Sequence, residues 1–216
     1  MSVKKRVLAG EVVRGVCAIV IFMAIAGLTG CESDSGGLGD GHDFGVNDPS
    51  LYVAMGDSIT AAGWPSVLAG KLGQPVVNRG VPGARSDQGA ASVNGTLARY
   101  QPGFLLILYG ANDVINGGSY DAAIAYLRSM IRAAKANQTI PVIGTLTPMS
   151  ASHRIWAEGA KELSRRIRSM ASEEHCAVAD LERAFGNNPE YILPDGLHPT
   201  SAGTERIASV FYGVIR

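Results

Sequence analysis

Ser58, Asp195 and His198 are the residues of this 216-residue chain whose types and order could make a hydrolytic centre. A serine hydroxyl is a poor nucleophile until a base takes its proton, and an imidazole is a well-aimed base when a carboxylate holds its second nitrogen. Asp195-Gly196-Leu197-His198 supplies such a pair three residues apart. Pro194 and Pro199 flank it, so the segment is a shaped loop in which the carboxylate can fold back onto the ring. His153 and His175 lack a carboxylate at that spacing, and His42 lies in a polar stretch, so none of these three is expected to be the base. Ser58 follows Gly56-Asp57 at the end of an apolar run, where a tight turn would lift its hydroxyl off a strand end. Gly-Asp-Ser by itself is an ordinary turn or helix-cap sequence, so its meaning depends on what stands at the neighbouring strand ends.

The elements that must position these groups read as alternating strand and helix. Short apolar runs at 51–55, 76–77, 104–109, 140–144 and 177–181 have the composition of strands covered on both faces. Between them, 65–72 and 120–136 have helical spacing, the latter with Ala123, Ile124, Leu127, Ile131 and Ala134 on one face. Residues 86–100 read as helical but interrupted at Gly89 and Gly95, and 153–175 as a helix whose Lys161, Arg165, Arg166 and Arg168 form a solvated face. Thr200 or Ser201 would cap a last helix. Alternation of this kind implies a parallel sheet with right-handed crossovers, hence a three-layer α/β/α sandwich. Ligands then bind beyond the carboxyl ends of the strands, where every candidate group falls.

Charge and cysteine narrow the function further. Formal charge is balanced over the whole chain, so no basic field points to nucleic acid. Lys4, Lys5, Arg6, Glu11 and Arg14 precede Cys31, and without them the remainder carries a net charge of about −3. That basic leader, the uncharged apolar run 16–28 and the small residues after it read as a targeting segment shorter than a membrane span. Leu28-Thr29-Gly30-Cys31 resembles the lipobox of bacterial lipoproteins, which implies a signal peptide over 1–30 and lipidation at Cys31. Glu32 after the cysteine resembles the outer-membrane sorting pattern, should the host have two membranes. Residues 31–50, rich in Gly, Asp and Ser, are expected to be a flexible tether, leaving a domain over 51–216. Cys176, next to an apolar run, reads as a core residue, and no Cys, His and carboxylate cluster has metal-ligand spacing. No cofactor is expected.

Two further blocks follow the second and third apolar runs: Asn78-Arg79-Gly80-Val81-Pro82-Gly83 and Gly110-Ala111-Asn112-Asp113. A glycine N–H and an asparagine amide are suitable fixed donors for the oxyanion of a tetrahedral intermediate. Together with Gly56-Asp57-Ser58-Ile59 and Asp195-Gly196-Leu197-His198-Pro199, these blocks resemble in order and placement those of the SGNH (GDSL) hydrolases, over essentially all of 51–216. The resemblance implies a five-stranded flavodoxin-like sheet, Ser58 as nucleophile, His198 as base, Asp195 as its orienting partner, and an oxyanion hole from the Ser58 N–H, the Gly83 N–H and the Asn112 side chain. Gly83 is preferred to Gly80 because the family's glycine stands about five residues past the asparagine of its block. Ile59 replaces the family's usual leucine, and Trp64-Pro65 follows closely, as in compact thioesterase and lysophospholipase-like members.

The expected function is a membrane-tethered serine esterase of the bacterial cell envelope, acting as a monomer on a small-molecule, lipid or glycan ester or thioester. Carbohydrate O-acetyl hydrolysis would use the same residues. A non-catalytic reading, a flavodoxin-like lipoprotein binding phosphate or glycan through Ser58, Thr60 and helix-terminal N–H groups, leaves the Asp195 and His198 pair unexplained.

Overall fold

A computed structural model describes residues 36–216. The signal segment expected over 1–30, the lipidation expected at Cys31 and the first residues of the expected tether lie outside the described residues. Within them, five strands form one parallel sheet: β1 (Asp48–Gly56), β2 (Val76–Gly80), β3 (Pro102–Leu108), β4 (Ile140–Gly144) and β5 (Ala177–Ala179). Their order is β2-β1-β3-β4-β5, the flavodoxin-like arrangement. The direction of winding reverses between β1 and β3, so the crevice that a doubly wound sheet offers to a ligand opens at their carboxyl ends. Every residue of β3 and β4 is buried, which explains their unbroken apolar sequences, whereas edge strand β2 carries exposed Asn78 and Arg79.

Helices connect and cover the strands: α1 (Ser58–Ala61), α2 (Trp64–Leu72), α3 (Ser86–Tyr100), α4 (Ala111–Ile115), α5 (Tyr120–Ala136), α6 (Ala157–Glu173), α7 (Leu181–Phe185) and α8 (Ser201–Ile215). α3 packs on α5 and α5 on α6, while α2 packs on α8, as right-handed crossovers require of the two covering layers. Trp64 and Phe211 are fully buried and stack with centroids 4.5 Å apart, joining α2 to α8. The basic residues of α6 are paired at the surface: Lys161 with Glu158, Arg165 and Arg166 with Glu162, and Arg168 with Asp180 and Glu182. Cys176 is buried, and burial pushes its thiol up to about 12, which keeps it protonated and inert.

Three expectations need correction. α3 is continuous through Gly89 and Gly95; a side chain at 89 would strike the Tyr109 ring, so that glycine lets the helix approach the sheet. The helix expected from 153 begins with a 3₁₀ turn over Ala151–Trp156, and α6 proper starts at Ala157. The flexible tether expected over 31–50 does not extend through residues 36–50. Phe44 packs against the core, Asn47 is buried and bonded to Asn137, and β1 starts at Asp48 rather than at 51. The Gly, Asp and Ser composition concealed these few anchoring side chains.

Candidate active site

β1 ends at Gly56, and Asp57 caps α1 by accepting the Ile59 N–H at 2.9 Å. This presents Ser58, half-buried, as the first residue of the helix, where its N–H has no carbonyl one turn back to bond. The 195–198 loop is built from its backbone outward. Leu193 N–H donates to the His198 carbonyl at 2.8 Å, and Ile192 bridges to Pro199. One Asp195 carboxylate oxygen accepts the Leu197 and His198 N–H groups at 2.9 and 3.1 Å, leaving the other free to meet the imidazole. That second oxygen lies 2.6 Å from His198 Nδ1, and His198 Nε2 lies 2.9 Å from Ser58 Oγ.

The roles of the ring nitrogens follow from the partners. Burial pushes the Asp195 carboxyl up, but hydrogen bonds from Leu197 N–H and from the side chain and N–H of His198, with the ring's charge, outweigh it and hold the group below its ordinary value. An ionised carboxylate only accepts, so Nδ1 carries the proton and Nε2 is left as acceptor for the serine hydroxyl. The structure therefore brings Ser58, His198 and Asp195, separated by up to 140 positions, into one hydrogen-bonded line.

Gly83 stands on the loop after β2, and Asn112 in the first turn of α4, which follows β3 closely. Val81-Pro82-Gly83-Ala84 is a tight turn closed by Ala84 N–H to the Val81 carbonyl at 3.0 Å, with Gly83 at φ +78°, the proline-glycine pattern of a type II turn. The Asn112 amide donates to the Ala84 carbonyl at 3.0 Å, which ties α4 to the loop after β2 and leaves its second N–H available. Gly80 serves the packing instead. A Cβ there would lie 2.2 Å from the Ala61 nitrogen, so its lack of a side chain lets β2 run close under α1.

Several supporting residues were not read from the sequence. Buried Asp113 accepts the Ser86 N–H at 3.0 Å and its hydroxyl at 2.5 Å, fixing α4 against the start of α3. Asn78 donates to the Thr60 carbonyl at 3.0 Å, and Trp64 Nε1 to the Thr60 hydroxyl at 3.3 Å. The Asp195 carbonyl accepts two donors, Ser152 Oγ and His153 Nδ1, each at 2.6 Å. Alongside, Ser150 N–H donates to the Gly196 carbonyl at 2.9 Å. Gly196 has φ +79° and its absent Cβ would lie 1.8 Å from the Ser150 carbonyl oxygen, so only glycine fits between these two loops. Asp57 is the most perturbed acid here. Burial pushes its carboxyl up to about 7, against the pull of the Ile59 N–H and of His198, with nearby Asp113 adding to the rise. Among the described residues no cluster of His, Cys, Asp and Glu could hold a metal ion.

A flavodoxin-like sheet with a serine, imidazole and carboxylate aligned at its switch point is the frame of a carboxylic ester hydrolase. Residues 54–206 match the GDSL-like lipase/acylhydrolase family, and the chain belongs to it. It is 26% identical over 164 residues to thioesterase 1/protease 1/lysophospholipase L1 of Escherichia coli, covering 68% of this chain and 74% of that protein. It is 27% identical over 169 residues to the esterase TesA of Pseudomonas aeruginosa, covering 72% and 82%. In fold it is similar to the crystal structure of a GDSL-like lipase from Bacteroides thetaiotaomicron, with a TM-score of 0.68 at 24% identity, over 77% of this chain and 88% of that one.

Proposed function

We propose that the protein is a lipid-anchored serine esterase that cleaves small or medium acyl esters or thioesters through an acyl-enzyme on Ser58. The observation that carries this reading is the unbroken line from Asp195 Oδ2 through the imidazole to Ser58 Oγ. His198 Nε2 takes the hydroxyl proton as Oγ bonds to the substrate carbonyl carbon. The carbonyl oxygen becomes an oxyanion facing the Ser58 N–H, the Gly83 N–H and the Asn112 amide. Collapse breaks the bond to the alcohol or thiol, which leaves with the proton from His198. A water molecule, deprotonated by the same nitrogen, then attacks the acyl-enzyme and returns Ser58 to its hydroxyl form. The loops that carry Gly83 and the Asp195–His198 pair expose apolar Val81 and Leu193, and the 3₁₀ turn whose Ser152 and His153 bond the Asp195 carbonyl exposes Ile155, so an acyl chain has apolar side chains on which to lie. They favour an acyl group with an apolar body over acetate.

The lipid anchor is part of the proposal. The lipobox-like Leu28-Thr29-Gly30-Cys31 supports acylation at Cys31 in a bacterial envelope, and among the described residues no helix is long and apolar enough to cross a membrane. Two acyl chains would suffice to hold the domain, at about 0.8 kcal/mol per buried methylene.

Ser58→Ala and His198→Ala are expected to lower kcat on a p-nitrophenyl acyl ester by roughly 10⁴-fold or more, because groups that act as a unit fail together. Circular dichroism should show both variants folded, and a fluorophosphonate should label the wild type at Ser58 alone. Turnover near the wild-type rate by either variant would sink the mechanism.

A further inference from the structure

Residues 36–47 cover the amino-end face of the sheet, opposite the catalytic groups. Leu38 N–H donates to the carbonyl of Ile215, the last residue of α8, at 2.8 Å. His42 bonds the Gln138 carbonyl at 3.1 Å, and the Asn47 amide pairs with Asn137, which closes α5. Asp48 N–H donates to the carbonyl of Gln101, which closes α3, at 2.8 Å. Phe44 meets Phe104 near the start of β3 with ring centroids 5.7 Å apart. In a parallel sandwich the helix carboxyl ends and the strand beginnings lie on one side. Ser58, Gly83, Asn112 and the 195–198 loop all lie beyond the strand ends on the other. The seven residues of β3, at about 3.3 Å each, separate the two sides by roughly 20 Å before any loop is added.

We propose that the amino-end face is the membrane-facing surface of the anchored protein, and that its substrate is an acyl ester not embedded in the bilayer that holds the anchor. This rests on the lipidation at Cys31 that forms part of the proposed function. The leash from Cys31 to the first described residue is Glu32 to Gly36. Fully extended, at about 3.3–3.6 Å per residue, it reaches at most about 18 Å. That is less than the depth of the sheet, and Leu38 pins its far end to the amino-end side. The bilayer surface can therefore reach the face that carries residues 36–47 but not the serine. Leu38 and Val46, 37% and 81% exposed on this segment, offer apolar contacts to an interface. Acyl esters arriving from solution, or borne on a surface across the gap, meet the catalytic face directly. Lipids of the anchoring leaflet do not.

The test uses lipidated full-length protein in vesicles that contain an embedded fluorogenic acyl-ester lipid, with a soluble p-nitrophenyl ester as control. Three forms are compared: wild type, a variant with a Gly/Ser insertion between Ser35 and Gly36, and the unanchored Cys31→Ser form. An insertion of about thirty residues adds a mean reach of roughly 30 Å. All three should cleave the soluble ester equally. The wild type should cleave the embedded ester at least about tenfold more slowly than the insertion variant, because a leash that cannot span the distance gives an effective concentration near zero. Equal rates on the embedded ester across the three forms, fast or slow, overturn the proposal. Wild-type protein that fails to float with vesicles removes the anchor and the proposal with it. Loss of soluble-ester cleavage in all forms would instead indict the esterase reading.

Discussion

At its carboxyl end the sheet leaves polar groups half exposed and fixes them from behind, whereas at its amino end an added segment closes over the strands. The side chains of Asp195 and His198 remain 41% and 35% exposed, yet their positions are set by the Leu197, Ser150, Ser152 and His153 contacts on the far side of the loop. Around Phe44 the pattern is reversed: Phe104 stacks on Tyr52 at 4.5 Å and Asn47 is buried. A catalytic face must admit substrate, so its order comes from hydrogen bonds to backbone rather than from burial. The opposite face has no such demand and uses packing. Substitutions at the two ends should therefore separate activity from stability.

The largest effect falls on a carboxyl that the catalytic end buries almost completely. Asp57 has a folded-state value of about 7 against an ordinary 3.8, so between those pH values the folded protein keeps a proton that the unfolded chain releases. Stability must then fall as pH rises through this window and level off above it, by on the order of 4 kcal/mol in total. Asp57→Asn keeps an acceptor for the Ile59 N–H but carries no charge. Urea titrations at about pH 4 and pH 8 should show the wild type losing roughly that much more stability than the variant. Parallel curves would mean that the carboxylate is satisfied in the fold.

Next come two substitutions expected to act in opposite ways. Asn112→Ala removes a proposed oxyanion donor and should lower kcat by roughly 10²–10³, about 2.7–4 kcal/mol, with a small change in melting temperature. Phe44→Ala should leave kcat on a soluble ester unchanged while lowering stability by about 1–2 kcal/mol, less than a fully buried aromatic would cost. A shift of kcat on losing Phe44 would show that the two faces are coupled, and the contrast between them would fail.

How much of this could be read from the chain differed between the same two ends. Ser58, Gly83, Asn112, Asp195 and His198 could be singled out because each sits in one of four blocks that resemble those of a known family, and the structure brings Ser58, His198 and Asp195 of these into hydrogen-bonding contact. The layers followed from alternating apolar runs, whereas the flavodoxin-like strand order was implied only by the family resemblance. The packing of residues 36–47 was not legible, since composition averages over a segment and three anchors among many glycines do not alter the average. The partners of the Asp195 carbonyl were hidden for another reason. Ser152 and His153 lie more than 40 positions away and act through a backbone atom, which leaves no mark in the pattern of residue types. His153 lacked a carboxylate at the spacing of a base, which was a sound reason to exclude it as one and no guide to its role as a donor.

The smallest effect tests that pair. A carbonyl oxygen has two lone pairs, and here Ser152 and His153 occupy both, so removing one donor leaves the loop held by the other. Ser152→Ala should then cost about 1 kcal/mol in kcat/KM, the net worth of one hydrogen bond, or roughly fivefold. His153→Phe should cost a similar amount while keeping a ring beside Trp156, whose centroid lies 5.4 Å away. Removing both strips the carbonyl of its donors and lets Asp195 turn its carboxylate off the imidazole, so the double variant should lose more than the sum of the two, by about 0.5–3 kcal/mol. A double-mutant cycle on a soluble ester measures this directly. Strict additivity would mean that the Leu197 and His198 N–H groups alone orient the carboxylate, and that the catalytic end owes its order to the loop itself rather than to the neighbour that grips it.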